Sequence, residues 1–174
     1  MKTNQKKIIL LFLSLFILNS CGYHLRGFGD TLPEDAETIA VIPFVNKTFE
    51  APFGPLLLQA LAEEFSKSRR LRVVDESEAD LIVSGIIRSF SESPVSFSSS
   101  DQTTDYRIDV KVDVLLRKRY EGEVVWKGKG LSAIEDYSSE PGNIDVTEIS
   151  RNNAKKIVAE ELAELIYDSV FEGF

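Results

Sequence analysis

The chain has 174 residues, which is enough for one domain with a buried core but short for two. Its 28 acidic side chains outnumber the 20 basic ones, and the net charge at pH 7 is −8. A charge this negative argues against nucleic acid as a partner and against adhesion of the whole surface to anionic lipid. A site for a lipid phosphate would therefore have to be a local basic patch on an acidic protein.

The N terminus has the layout of a secretory signal peptide that ends at a lipid-modified cysteine. Three lysines precede an apolar run from Ile8 to Leu18. This run has about eleven residues, whereas a membrane-spanning helix needs about 20. Cys21 is the only cysteine, so no disulfide within the chain explains it. We predict that residues 1–20 are a signal peptide and that Cys21 becomes the acylated first residue.

Acylation at Cys21 also predicts where the protein is located. Three acyl chains, at ~0.8 kcal/mol per buried CH₂, hold far more strongly than a single myristoyl group. Removal of three lysines leaves 17 basic against 28 acidic side chains, a mature charge of −11. Gly22 replaces the Asp that is typical of lipoproteins kept in the inner membrane. We expect an outer-membrane lipoprotein on the periplasmic side, with residues 21–37 as lipidated leader and residues 38–174 as a single domain.

The first regular elements of the domain are a strand and a helix. Residues 38–45 are almost continuously apolar, which is typical of a buried strand, and Pro43 lacks the N–H that a sheet ladder requires. The period then changes to that of an amphipathic helix with proline in its first turn. Its apolar positions include Phe53, Leu57, Leu61 and Phe65. Basic residues near positions 68–70 suit the end of this helix.

The middle of the chain is rich in strand patterns. Residues 71–74 and, more strongly, residues 79–87 predict strands, and a strand, a helix and a returning strand indicate a right-handed crossover with parallel pairing. Residues 91–104 hold six serines and no periodicity, so they are either a long loop or a strand extension. Apolar and polar residues alternate over 106–114, and a glycine-containing turn leads to an antiparallel partner over 123–132.

A long helix closes the chain after a loop predicted over residues 134–146. It should begin near Asp145, which with Glu148 resembles a capping box. Its predicted apolar stripe consists of Ala154, Ile157, Val158, Leu162, Leu165, Ile166 and Val170. These patterns predict a two-layer α/β sandwich, in which two amphipathic helices pack on one face of a mostly antiparallel, mixed four-stranded sheet.

The sequence offers little that could carry catalysis. The only histidine, His24, lies in the leader, so a nucleophile has no nearby imidazole base. Soft metal ligands are limited to this histidine and Cys21, and the acids are scattered. The glycines lack the spacing of phosphate-binding loops. We therefore predict a binding or scaffold protein that is not an enzyme and has no metal or cofactor.

A basic strip along the hairpin is the candidate ligand site. It would consist of Arg107, Lys111, Lys127 and Lys129. Asp109 and Asp113 alternate with the first two cations, and such neighbours often form cross-strand ion pairs of ~0.2 to 1 kcal/mol instead. The turn at residues 117–119 is a second basic cluster, and basic hairpin tips often serve only solubility. Both interpretations of each cluster stay open.

Cys-Gly-Tyr-His-Leu-Arg-Gly at residues 21–27 is the most specific of several motifs. The others lie at residues 42–50, 72–75 with 79–81, 106–108 and 124–126. Taken in this order, the motifs resemble the LPS-assembly lipoprotein LptE family across residues 21–170. Lipoproteins of the CsgG and LpoB type share the Pro-Phe-x-Asn element at residues 43–46. The alternative is therefore an outer-membrane lipoprotein that regulates a peptidoglycan enzyme or a secretion channel.

The resemblance to the LptE family implies a fold of two helices on a four-stranded sheet and a specific function. Family members plug the lumen of a large outer-membrane β-barrel, here an LptD-like partner, and help it to assemble. They also bind lipopolysaccharide and assist its insertion into the outer leaflet. The family's lipopolysaccharide contacts lie partly on basic loops at the sheet tip. Residues 97–102 contain no basic side chain, so no binding residue is carried over from the family.

Overall fold

The computed structural model describes residues 32–67, 70–99 and 102–172. The predicted signal peptide, Cys21, His24 and most of the predicted leader lie outside these residues. The elements of the described part are β1 (Thr38–Val41), β2 (Val45–Asn46), α1 (Phe53–Lys67), β3 (Arg72–Val73), β4 (Leu81–Phe97), β5 (Thr103–Lys118), β6 (Val124–Ser138) and α2 (Ile144–Glu172).

The strands form one mixed sheet in the order β3-β1-β4-β5-β6, with β2 paired to β4 further along. The pairs β1–β3, β1–β4 and β2–β4 are parallel, whereas β4–β5 and β5–β6 are antiparallel. The predicted crossover between parallel strands and the predicted hairpin are both present. The described sheet has six strands, however, and the prediction of four is wrong.

One of the two additional strands, β2, arises where the apolar run at residues 38–45 divides in two. β1 ends before Pro43, which cannot donate to the ladder. Ile42 still donates its N–H to the Val83 carbonyl at 3.0 Å, and pairing with β4 resumes at Val45, opposite Ile86. Phe44 lies between these two points with its side chain buried. The apolar run therefore continues through a segment in which the backbone pairing with β4 is interrupted.

Two segments that lack a clear period are nevertheless strand. The serine-rich segment extends β4 to Phe97, and Ser98 donates to the Gln102 carbonyl at 2.7 Å to close the hairpin with β5. The loop predicted from residue 134 is wrong, since β6 continues to Ser138. Tyr137 stacks on Tyr106 of β5 with ring centroids 5.5 Å apart. This cross-strand stacking stabilises the pairing of β5 with β6. The sequence over residues 134–138 has no alternating pattern that would predict it.

The start of α2 differs from the predicted capping box. The Asn143 side-chain oxygen accepts the Val146 N–H at 3.3 Å, so Asn143 is the N-cap and Asp145 lies in the first turn. The preceding Gly142 has a φ of 90°, which is left-handed backbone that glycine adopts without strain. The turn through Gly142 therefore places the cap two residues earlier than the acidic pattern predicts.

The core lies between the sheet and the two helices. The four α1 positions predicted from the helical period are fully buried, as are the inward residues of β5. Of the predicted α2 stripe, Ile157 and Leu165 are instead 39% and 37% exposed. Ala159 and Ala163 are buried in their place, because small residues allow the helix to approach its neighbours closely. The buried stripe of α2 is therefore turned toward its alanines.

Gly85 of β4 is required by the packing of Phe44. A Cβ atom built at Gly85 would overlap the Phe44 ring and the Asp113 carbonyl oxygen. Backbone atoms of a central strand cannot move away cheaply. The absence of a side chain at position 85 therefore lets the Phe44 ring cover the strand.

We predict that Gly85→Ala lowers the free energy of unfolding by about 1–3 kcal/mol, because the added methyl displaces Phe44 or the backbone. Gly54→Ala is the matched control, since a Cβ at this α1 position meets nothing within 4 Å. This control should leave stability unchanged or raise it by up to about 1 kcal/mol. Urea unfolding followed by circular dichroism measures both, and equal stabilities of the two variants would contradict the overlap.

Candidate functional site

Both helices pack on one face of the sheet, and the other face carries the predicted basic strip. A small apolar cluster of Ala40, Ala79 and Ile82 lies on this second face, separate from the main core. Its position follows from alternation, because Ile39 and Val83 point into the main core while Ala40 and Ile82 point away from it.

An open groove of about 490 Å³, here called the sheet groove, runs along this face. Its apolar lining includes Ile42, Val45, Ile86 and Leu115. Its charged lining consists of Arg88, Lys127, Lys129 and Asp113. Three cations and one carboxylate give the sheet groove a local charge of +2 on a chain whose net charge is −8. Apolar surface beside positive charge suits a ligand that has both acyl chains and anionic groups.

The four cations of the predicted strip lie in two places. Lys127 and Lys129 line the sheet groove, whereas Arg107 and Lys111 are not part of its lining. Arg107 is opposite Asp136 on β6 and makes a bidentate ion pair with it, at 2.7 Å for each hydrogen bond. This pair raises the pKa of Arg107 and lowers that of Asp136. For Arg107, the structure therefore shows the cross-strand pairing that the sequence left open.

A β-bulge places Lys129 at the sheet groove. Asp113 of β5 faces two residues of β6, Lys129 and Gly130, because the register shifts between Val112 and Val114. Gly130 has a φ of 65°, and its N–H donates to the Asp113 carboxylate at 2.9 Å. The resulting bend re-aims the lysine relative to a regular strand.

Asp113 and Arg88 form the ion pair within the sheet groove. Arg88 contacts the Asp113 carboxylate at 2.7 Å. The Gly130 N–H and then this guanidinium hold the pKa of Asp113 below its usual range. Sequence reasoning missed Arg88, which follows the residues predicted as strand and lies at a register shift in β4. The end of the apolar run at Ile87 was the only available signal.

A second group of charges, here called the charged cluster, joins four parts of the fold. Glu50 accepts from Arg151 at 3.1 Å and from Lys155 at 3.2 Å. Arg151 also contacts Glu92 of β4 at 2.9 Å, and the Tyr137 hydroxyl of β6 donates to the same carboxylate. Burial and then the Glu92 carboxylate raise the pKa of Tyr137, so this hydroxyl keeps its proton. Lys155 is only 4% exposed, which makes its pairing necessary.

The basic turn is occupied by contacts within the chain. Arg117 lies 3.8 Å from Glu76, and Lys118 lies 3.1 Å from Glu123. Arg119 donates its Nε–H to the Ala79 carbonyl at 2.7 Å. These contacts fix the turn against the start of β4 and favour its structural interpretation.

Residues 32–67, 70–99 and 102–172 contain neither a cluster of metal ligands nor a membrane-spanning helix. Within these ranges, histidine, cysteine and carboxylate side chains form no group of three that could hold a metal ion. None of the helices described there combines the length and apolar character that crossing a membrane requires.

Comparison with known families identifies the chain. Residues 36–170 match the model of the family described as LptE, lipopolysaccharide-assembly. The chain belongs to the LptE family. The resemblance inferred from the sequence motifs is thereby confirmed. A comparison with curated protein sequences finds no significant match.

Solved structures of bacterial lipoproteins share the fold. A minor lipoprotein from Acinetobacter baumannii superposes with a TM-score of 0.54 at 11% identity, covering 81% of this chain and 95% of that one. A lipoprotein from Caulobacter crescentus gives 0.52 at 14%, covering 73% and 86%. The rare lipoprotein B from Shewanella oneidensis gives 0.50 at 15%, covering 75% and 92%. These structures share with this chain a fold of two helices packed against a mixed sheet, and LptE family membership assigns this chain to lipopolysaccharide assembly.

The charged cluster generates a stability prediction. Glu50→Gln should lower the free energy of unfolding by about 3–5 kcal/mol, because it leaves the buried Lys155 ammonium without a carboxylate. Adding Lys155→Met to this variant should recover part of the loss, since the unpaired charge is then absent. Urea unfolding of the two single variants and the double variant gives the coupling energy.

Lys156 provides the matched control for Lys155. It is the next residue of α2, is exposed, and pairs with Glu160 at 3.6 Å. Lys156→Met should change stability by less than about 1 kcal/mol. If Glu50→Gln costs no more than this control, the charged cluster does not stabilise the fold.

Proposed function

We propose that the mature chain is an outer-membrane lipoprotein, acylated at Cys21 and held on the periplasmic side. It plugs and assists the assembly of an LptD-like β-barrel that transports lipopolysaccharide. In this role it binds lipopolysaccharide and helps its insertion into the outer leaflet. The single observation that carries the proposal is the family match over residues 36–170.

The surface is consistent with a position inside a barrel lumen. Lumen walls of outer-membrane barrels are polar and water-lined, so a plug needs a polar rather than a lipid-facing exterior. The outward residues of β5 are mostly charged, and Arg107 pairs with Asp136 on this surface. A domain with this exterior can fill an aqueous lumen without exposing a broad apolar belt.

The sheet groove supports lipopolysaccharide binding. Lipopolysaccharide combines acyl chains with phosphate groups, and the sheet groove combines an apolar lining with three cations. We propose that Lys127 and Lys129 contact phosphate, since neither has a carboxylate within ion-pair distance among the described residues. Arg107 and Lys111 of the predicted strip lie outside this groove and serve as its comparison.

The barrel partner is tested by purification of the full-length, tagged lipoprotein from solubilised membranes. We expect a large β-barrel protein to remain bound through detergent washing, and depletion of the lipoprotein to lower the amount of assembled barrel. Recovery of the lipoprotein without a barrel would count against the proposal. Defects in wall shape with normal lipopolysaccharide placement would instead favour the regulator of a peptidoglycan enzyme.

Ligand binding is tested with paired variants. The double variant Lys127→Gln/Lys129→Gln should bind lipopolysaccharide at least about tenfold more weakly, because it loses the charge-assisted hydrogen bonds that the two lysines donate to phosphate. Arg107→Gln/Lys111→Gln should stay within about twofold of wild type. Titration of the detergent-solubilised protein with fluorescent lipopolysaccharide measures both. Equal losses in the two pairs would refute the assignment to the sheet groove.

Asp113 provides a test with the opposite sign. Asp113→Asn keeps an oxygen for the Gly130 N–H but removes the negative charge that pairs with Arg88. The local charge of the groove rises from +2 to +3, so lipopolysaccharide should bind more tightly, with a steeper dependence on salt. The same titration at two salt concentrations measures the change, and weaker binding would contradict the proposed electrostatics.

A further inference from the structure

Phe49, on the loop between β2 and α1, is an aromatic side chain that packs on none of the described residues. Its relative exposure is 109%, so the ring makes almost no contact with the part of the chain that the structure describes. Single exposed apolar residues are common on protein surfaces and by themselves indicate no function. The loop that carries Phe49, however, is constrained at both ends.

Side-chain hydrogen bonds fix the first half of the loop. The Asn46 side-chain oxygen accepts the Thr48 N–H at 2.9 Å and the Thr48 hydroxyl at 2.8 Å. The Asn46 amide donates across the loop to the Glu50 carbonyl at 2.9 Å. The Lys47 N–H donates to the Ile87 carbonyl of β4 at 3.1 Å, which attaches the loop to the sheet.

The charged cluster fixes the second half. Glu50, the residue after Phe49, is held by Arg151 and by the buried Lys155 of α2. Burial of charges rarely adds net stability over apolar packing, whereas it can specify a single conformation. For this chain, the conformation specified is that of the loop on either side of Phe49.

A rigid loop that presents one exposed aromatic ring matches the physics of an interface anchor. Binding energy concentrates in a few aromatic or arginine side chains that fill pockets of the partner. Rigidity before binding lowers the entropy that association must offset. We propose that Phe49 inserts into an apolar pocket of the β-barrel partner and anchors the complex; the identity of this partner rests on the function proposed above.

The surroundings of Phe49 favour a protein partner over a lipid surface. A fluid bilayer adapts to a side chain, so a fixed loop conformation gives an advantage only against a surface that is itself fixed. Phe49 lines a shallow groove of about 350 Å³ together with Lys47 and Arg88. Glu50 and Glu92 of this lining pair with Arg151 and Lys155, and Arg88 pairs with Asp113, so Lys47 is the cation of the lining that would face the partner. The complementary pocket is apolar with a carboxylate at its rim.

The test compares Phe49→Ala with Phe97→Ala in the full-length lipoprotein. Phe97 is the same residue type, is 60% exposed, and lies at the end of β4. We expect Phe49→Ala to lose at least about tenfold of the barrel retained after detergent washing, and Phe97→Ala to retain the wild-type amount. Both side chains are exposed, so thermal unfolding midpoints should match that of the wild type.

Asn46→Ala tests the rigidity of the loop separately. It removes the Asn46 hydrogen bonds but keeps Phe49, so it should retain an intermediate amount of barrel. Retention equal to wild type in Asn46→Ala would overturn preorganisation, and retention equal to wild type in Phe49→Ala would overturn the anchor. A loss of vesicle flotation or of self-association in Phe49→Ala, with the barrel retained, would assign the ring to lipid or to a second copy.

These outcomes are distinct from a failure of the proposed function. If the wild-type lipoprotein retains no barrel, the partner is wrong and the anchor as proposed is wrong with it. If the wild type retains the barrel and both phenylalanine variants do so equally, the function stands and only the anchor is refuted.

Discussion

The carboxylate of Glu50 joins the first third of the chain to its last helix. Its partners Arg151 and Lys155 are 101 and 105 residues away in sequence. Through Arg151 and Glu92 the same cluster reaches β4, and through the Tyr137 hydroxyl it reaches β6. Because Lys155 is almost fully buried, neither the loop nor α2 can move away without exposing an unpaired charge to an apolar interior. The placement of α2, the loop and two strands is therefore one linked arrangement.

This arrangement leaves the two faces of the sheet chemically different. The helices cover one face with apolar residues, whereas the other face keeps charged side chains and the sheet groove. On an acidic chain the net charge repels anions, so an anionic ligand must be attracted by local charge. The bulge at Lys129 and the register shift at Arg88 are departures from regular strand pairing, and these two residues supply positive charge to the groove. Irregularities in the strands thus give the sheet groove its net positive lining.

Much of the fold could be predicted from the sequence because buried residues recur with the period of their helix or strand. Phe53, Leu57, Leu61 and Phe65 mark one face of α1, and the alternation along β5 marks its inward side. Other features depend on partners distant in the sequence. The pairing of Arg107 requires the register that places it opposite Asp136, and the extension of β6 depends on Tyr137 stacking against Tyr106. Lys127 and Lys129 can be proposed from their charge in the sequence, whereas Arg88 lies beyond the predicted strand end.

Fold and site carry different amounts of functional information. Lipoproteins with 11–15% identity keep two helices on a mixed sheet, which shows that the architecture tolerates replacement of most side chains. Binding of a ligand or a partner depends instead on particular side chains. In this chain the two grooves proposed for binding share one residue. Arg88 lines both the sheet groove and the groove beside Phe49. An anion that competes with Asp113 for Arg88 would therefore change the charge next to the proposed anchor. In the functions proposed above, ligand binding and partner contact share the Arg88 guanidinium, so the Arg88–Asp113 ion pair would be the physical basis of coupling between them.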